Sequence, residues 1–260
     1  MEVEVRIVET GRGWRWIVGG IALFRKSPLI WAVVVLILYV ALKVLMRISV
    51  LGLVAILLLP IFLVGLMEGC KALERGETLQ VNHLLSGFRT NVAPLITLGG
   101  ISLVGNLLIA MIITAIGGDA MMTIMKFAGQ TSIAPDAVQT VQQAMSKATL
   151  AAAVGAALSL PLMMALWFAP LLVYFHGMKP LRAIVYSFWA CWKNAMPFLL
   201  YGLVVLAALI MVMPVSLATR QIDLGLWLLA PVLIPTIYTS YRDLFYAGDA
   251  PAAEENPPPA

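Results

Sequence analysis

The chain has 260 residues, a net charge of +4 and 62% hydrophobic residues, with only 12% charged, about half the charged share of an ordinary soluble domain. Its mean hydropathy is +0.96. These values exclude a water-soluble globule, a disordered chain and a nucleic-acid binder with a broad basic face, and they point to an all-α, polytopic transmembrane helix bundle.

The opening MEVEVRIVETGRGWRW alternates in charge and has no early apolar core, so residues 1–12 read as a cytoplasmic segment rather than a signal peptide. Residues 29–69 form one apolar stretch, interrupted by Lys43, Arg47 and Glu68. As a single helix it would be roughly 60 Å long, about twice a bilayer core. It must fold back near Arg47–Ser49, giving spans at about 29–46 and 49–69. After a polar segment, a third span at about 92–116 is expected to stop at Gly117-Gly118. Residues 117–147 read as a long periplasmic loop, with a short helix from Ser132 to Lys147. The fourth span, about 148–175, is overlong, and Pro161 and Pro170 suggest a kink or tilt. Span five covers about 195–218, Thr219–Asp223 makes a tight turn, and span six covers about 224–246. The tail, 247–260, is acidic and rich in Pro and Ala, a composition expected to be disordered.

Six spans place both ends on one side. Of the 17 Lys and Arg residues, 12 fall on that side and 5 on the other. The positive-inside bias therefore predicts a multi-pass protein of the bacterial inner membrane with both termini in the cytoplasm.

A pattern recurs three times along the chain. An amphipathic stretch ends in an aromatic and a base, and a proline then opens a span: Phe24-Arg25-Lys26 before Pro28, Phe88-Arg89 before Pro94, and Trp192-Lys193 before Pro197. The second and third share Asn-x-x-Pro, at Asn91 and Asn194, and each following span carries a proline part-way along, Pro60, Pro170 or Pro231. Proline lacks the N–H that a first helical turn leaves unused, and aromatic-plus-base pairs suit the head-group layer. The stretches before each proline have apolar residues at helical spacing: Trp14, Ile17, Ile21 and Phe24; Val81, Leu84, Leu85 and Phe88; Leu181, Ile184, Val185, Phe188 and Trp192. They are too short to span. The reading is three hairpins, each preceded by a cytoplasmic interfacial amphipathic helix. Trp14, Arg15, Arg25, Lys26, Phe88, Arg89, Trp192 and Lys193 are the candidate lipid-interface residues.

Candidate chemistry is sparse. His83 and His176 have no carboxylate or cysteine at ligand spacing, and Cys70 and Cys191 form no CxxC. Both cysteines fall in the terminal-side connectors and are expected to react with a thiol reagent admitted from the cytoplasm. No carboxylate is placed near the midplane, where ion-coupled transporters usually need one. Asn106 and Thr236 are the main intramembrane polar candidates, with Ser102 and Ser159 beside them. Ala151, Gly155 and Ser159 form a small-residue stripe, and Met121, Met122 and Met125 read as flexible apolar packing. The neighbouring Arg242 and Asp243 read as an anchor for the last helix. There is no phosphate loop, GxSxG, HExxH or catalytic carboxylate pair. The expectation is a non-enzymatic membrane-organising or accessory component. It needs no cofactor or metal, and it contacts membrane lipids together with a membrane-protein partner or a second copy of itself. The alternative is a small-molecule or lipid transporter with a site between the hairpins around Asn106 and Thr236.

The runs GWRW (13–16), LFRKSPLIW (23–31), GCKALERGE (69–77), FHGMKP (175–180) and SYRDLF (240–245) together resemble an uncharacterised family of proteobacterial inner-membrane proteins, from about residue 5 to 246. That resemblance implies six spans and no established activity, ligand or catalytic residue. The interfacial-helix-then-proline pattern is more distantly similar to membrane domains found beside some glycerophosphodiesterases. The soluble catalytic domain of those enzymes has no counterpart in this sequence, so hydrolase activity does not carry over.

Overall fold

The computed structural model describes residues 4–127, 135–221 and 223–246. Among the described residues there are nine α-helices, one 3-10 helix and no strand. Six helices are long and apolar enough to cross a membrane. They pair in chain order. The first hairpin is α2 (Pro28–Leu45) with α3 (Ser49–Glu74). The second is α4 (Val92–Phe127) with α5 (Pro135–Trp167) and its continuation α6 (Ala169–His176). The third is α8 (Ala195–Thr219) with α9 (Leu224–Phe245). Three short elements lead into them: α1 (Arg12–Lys26), the 3-10 helix (Val81–Phe88) and α7 (Pro180–Lys193).

The prolines act where their chemistry allows. Pro28 is the first residue of α2, and Pro94 and Pro197 lie in the first turns of α4 and α8, where the backbone N–H has no helical acceptor. Pro60, Pro161 and Pro231 are carried inside continuous helices. Only Pro170 coincides with a break: the helix is interrupted at Phe168 and restarts at Ala169, because proline has no N–H to bond the preceding turn and its ring crowds the carbonyl there. Ser187 repairs this break, its Oγ accepting from the Phe168 N–H at 2.9 Å and donating to the Met164 carbonyl at 2.7 Å.

Each leading helix packs against the hairpin before its own. The 3-10 helix, which opens unit two, lies on α3 of the first hairpin; α7, which opens unit three, lies on α5 and α6 of the second. Helix α1 opens unit one and packs on α8 and α9 of the third, so the arrangement closes on itself. The repeat is therefore a cyclic one, and α1 latches the first unit to the last.

The second hairpin corrects an expectation. Gly117-Gly118 does not end the third span. Helix α4 continues to Phe127, and its 36 residues run about 54 Å at 1.5 Å each, well beyond a bilayer core of about 30 Å. The residues expected as a separate short helix are, from Pro135, the start of α5 itself. Gly117 and Gly155 explain the continuity, for Gly117 faces Ala151 and Gly155 faces Ile113, so the two helices stay in close contact far along their length. Ser159, the third member of the small stripe, faces outward. An Asp119–Lys147 ion pair at 3.0 Å links the helices further out. The hairpin thus projects past the membrane in place of the loop expected over 117–147, and Met121, Met122 and Met125 stand exposed near its tip rather than packing inside. The part of the expected short helix before Pro135 and the tail at 247–260 lie outside the described residues.

Candidate functional site

Several long-range hydrogen bonds and ion pairs join distant parts of the chain at the end of the bundle where residues 4 and 246 lie, called here the basic face. The chain ends meet there: the Arg6 N–H donates to the Leu244 carbonyl at 3.0 Å. Helix α1 then runs antiparallel to α9 for two turns. Its Trp16 carbonyl accepts from Thr239 Oγ1 at 2.8 Å, and Gly20 lies against Thr236. The buried stripe of α1 is Gly13, Trp16, Ile17, Gly20 and Leu23. The glycines are required by proximity. A Cβ on Gly13 would strike the Pro197 carbonyl, and one on Gly20 would sit 2.9 Å from the Thr236 nitrogen.

Asp243 closes this contact. Its carboxylate accepts from Arg12 through both Nε, at 2.8 Å, and Nη2, and from the Trp16 indole Nε1 at 2.8 Å. Arg242 pairs with Glu74 at the end of α3, and Tyr238 donates to the same carboxylate at 2.8 Å. Arg242 and Asp243 therefore anchor α9 as the sequence suggests, but through α3 and α1 rather than through each other. Nearby, Tyr241 Oη lies 2.8 Å from His176 Nδ1 and its ring stacks on Phe175 at 5.8 Å, while Lys71 Nζ sits 4.9 Å over the Phe175 ring. Lys26 Nζ donates to the Leu73 carbonyl at 2.8 Å. The five sequence runs that carry the family resemblance thus meet at one end of the molecule.

The repeated asparagines serve the same junction. Asn194 is 1% exposed. Its Oδ1 accepts from the Val8 N–H, and its Nδ2 donates to the Arg6 and Ala190 carbonyls, each at 2.9 Å. Asn91 takes a left-handed backbone at φ 57° and donates to the Val173 carbonyl at 3.0 Å. Each asparagine satisfies backbone groups where the chain turns into a span.

All eight candidate interface residues are exposed: Trp14, Arg15, Arg25, Lys26, Phe88, Arg89, Trp192 and Lys193. Their helices differ from the expectation in detail. The second leading element is 3-10 rather than α, and its period of three turns Leu84 and Gly87 inward and Leu85 and Phe88 outward. Helix α7 buries its small residues, Ala183, Ser187, Ala190 and Cys191, and exposes Leu181, Val185, Trp189 and Trp192. Its large apolar stripe therefore faces away from the protein.

Asn106 and Thr236 do not share a cavity. Asn106 is exposed and donates back to the Ser102 carbonyl of its own helix at 2.8 Å. Thr236 is fully buried beneath Gly20, with Tyr201 Oη 2.8 Å from its Oγ1. The polar path between hairpins that these two residues suggested is not formed, because α1 occupies the space over Thr236. The expected cysteine reactivity also fails on packing grounds. Cys70 is fully buried and Cys191 is 4% exposed, with its Sγ 3.6 Å from the Met164 carbonyl. Burial pushes the Cys191 thiol up to about 12. The histidines are engaged locally, His83 Nδ1 accepting from the Gln80 N–H at 3.1 Å.

A probable inner membrane protein of Burkholderia thailandensis is 31% identical to this chain over 202 residues, which cover 75% of the chain and 73% of that relative. The chain belongs to that protein's family. No family model and no solved structure matches it. With six apolar helices of spanning length, this member of the family is a multi-pass membrane protein.

Proposed function

We propose that the protein is a non-enzymatic component of the bacterial inner membrane, with both ends in the cytoplasm, that organises the inner leaflet through its basic face. The orientation is supported by the excess of Lys and Arg on the side of the chain ends, and the inner-membrane location by the name of the Burkholderia relative, a probable inner membrane protein. The observation that carries the role is a division of labour among the charges. Glu74 and Asp243, the acids at the junction, are taken by Arg242 and Arg12. Arg15, Arg25, Arg89 and Lys193 point outward with no ion-pair partner among the described residues; Arg15, Arg89 and Lys193 each follow an exposed aromatic, and Arg25 follows the half-buried Phe24. Such residues attract anionic head groups by about 1 kcal/mol per base near the surface. They equally suit an acidic surface on a membrane-protein partner or a second copy.

The test is the quadruple variant Arg15→Gln, Arg25→Gln, Arg89→Gln and Lys193→Gln, purified from membranes in mild detergent. Lys26 is left intact because its ammonium holds the end of α3. The variant is expected to retain several-fold less anionic phospholipid by native mass spectrometry, or to lose a protein that co-purifies with the wild type. Unchanged lipid and unchanged protein recovery would overturn the reading.

A further inference from the structure

A pocket of about 410 Å³ lies where the three hairpins converge. Every hairpin contributes to it: Leu38 and Leu66 from the first, Leu98 and Pro170 from the second, Ala230 from the third. These five are buried and form its floor, while Leu59 and Leu226, 39% and 52% exposed, flank its mouth. All seven lie within spanning segments, so the mouth opens sideways at the depth of lipid chains. The volume falls in the range of about 300–1,000 Å³ typical of ligand sites.

The lining sets the chemistry. Its only side-chain polar atoms are the Ser102 hydroxyl, already 3.4 Å from Asn106 Nδ2, and the Trp227 indole nitrogen. A water held there would have too few partners, and a polar metabolite would leave its own groups unsatisfied. A hydrocarbon chain would lose nothing by entering. Pro60 and Pro170, two of the mid-span prolines of the repeat, both line the pocket, where ring bulk and the missing N–H keep neighbouring turns from closing up. The repeat pattern thus has a purpose beyond starting helices.

We propose that this pocket binds one acyl chain of a membrane phospholipid, taken in laterally between α3 and α9. The site is separate from the basic face, so either reading can fail without the other.

The experiment uses the full chain in vesicles of phosphatidylethanolamine and phosphatidylglycerol, with a trace of phosphatidylglycerol carrying a diazirine mid-way along one chain. After illumination, adducts are mapped by peptide mass spectrometry. The wild type is expected to carry adducts on the floor, at Leu66 and Leu98, as well as on the outward-facing Leu107 and Leu203. Ala230→Phe fills the pocket and should abolish the floor adducts while leaving those at Leu107 and Leu203. Ser102→Leu fills it from the opposite wall and serves the same purpose should Ala230→Phe not fold. Floor residues unlabelled in the wild type would overturn the proposal. So would floor labelling that both filling variants leave unchanged, or labelling by a diazirine fatty acid but not by the phospholipid.

Discussion

Replacing Asp243 by alanine tests the latch between the first and last units. The side chain of Asp243 is 9% exposed and that of Arg12 is 25% exposed, so the pair is neither a surface bridge worth under about 1 kcal/mol nor a fully buried one, whose disruption costs about 3–5 kcal/mol. Truncation also strips the acceptor from the Trp16 indole, on a residue only 2% exposed, and an orphaned buried donor costs about 1–3 kcal/mol. Together these place Asp243→Ala near 3 kcal/mol, roughly a hundredfold in the folding equilibrium. Arg12→Ala leaves the Trp16 bond in place and should cost about half as much. Because both substitutions remove the same hydrogen bonds, the double variant should fall short of their sum by about 1–2 kcal/mol. Asp243→Asn keeps one oxygen for Trp16 and should lie between wild type and alanine. Reversible unfolding in mixed micelles of rising SDS content, followed by tryptophan fluorescence, measures all four. An Asp243→Ala cost within about 0.5 kcal/mol, the usual scale of an unremarkable surface change, would refute the latch.

Gly20→Val would force α1 off Thr236 and should destabilise by about 1–3 kcal/mol in the same assay, whereas Gly11→Ala, with open space around it, should be neutral; equal effects would show that the α1–α9 contact is not made. Cys191, with its thiol pushed up to about 12, and the fully buried Cys70 should both resist a maleimide in the native protein and react once SDS unfolds it, so native modification of either would contradict their packing. Asp223, hydrogen-bonded by Lys43 at 2.9 Å, has its carboxyl held below the usual carboxylate range. Its contribution is therefore present above that range and lost as pH falls through the lowered value. Wild type and Asp223→Asn should differ in stability at neutral pH and converge only as the pH falls below the lowered carboxyl range, and a difference that persists once the carboxyl is protonated would show that the ion pair is not its source.

Much of the architecture was legible because lipid imposes long apolar runs and tolerates charge only at their ends. The hairpin turn between α2 and α3 falls where Arg47 interrupts the run, and Pro28, Pro94 and Pro197 mark helix starts correctly. The second hairpin was not legible, because two glycines in sequence suggest a stop, whereas here Gly117 allows α4 to stay against Ala151 and continue. The inward face of α1 was not legible, for a related reason. Periodicity picks out large apolar residues such as Trp14 and Phe24, yet the stripe that packs on α8 and α9 is built around Gly13, Trp16 and Gly20, and hydrophobicity gives little weight to glycine. The exposure of the eight candidate interface residues was legible from composition at the span ends. The clamp on Asp243 was only half so, since its partners lie 231 and 227 positions away. The apolar pocket left no trace in the sequence beyond the recurring mid-span prolines, because a void is a property of packing.

The inner-leaflet role stands or falls on which side of the membrane the basic face occupies. Single cysteines introduced as Arg15→Cys on α1 and Met122→Cys on the projecting hairpin, both exposed positions, report it directly, with the buried native cysteines left in place. In intact cells a membrane-impermeant maleimide should label Met122→Cys and leave Arg15→Cys untouched until the membrane is permeabilised. Labelling of Arg15→Cys from outside, with Met122→Cys protected, would contradict the account.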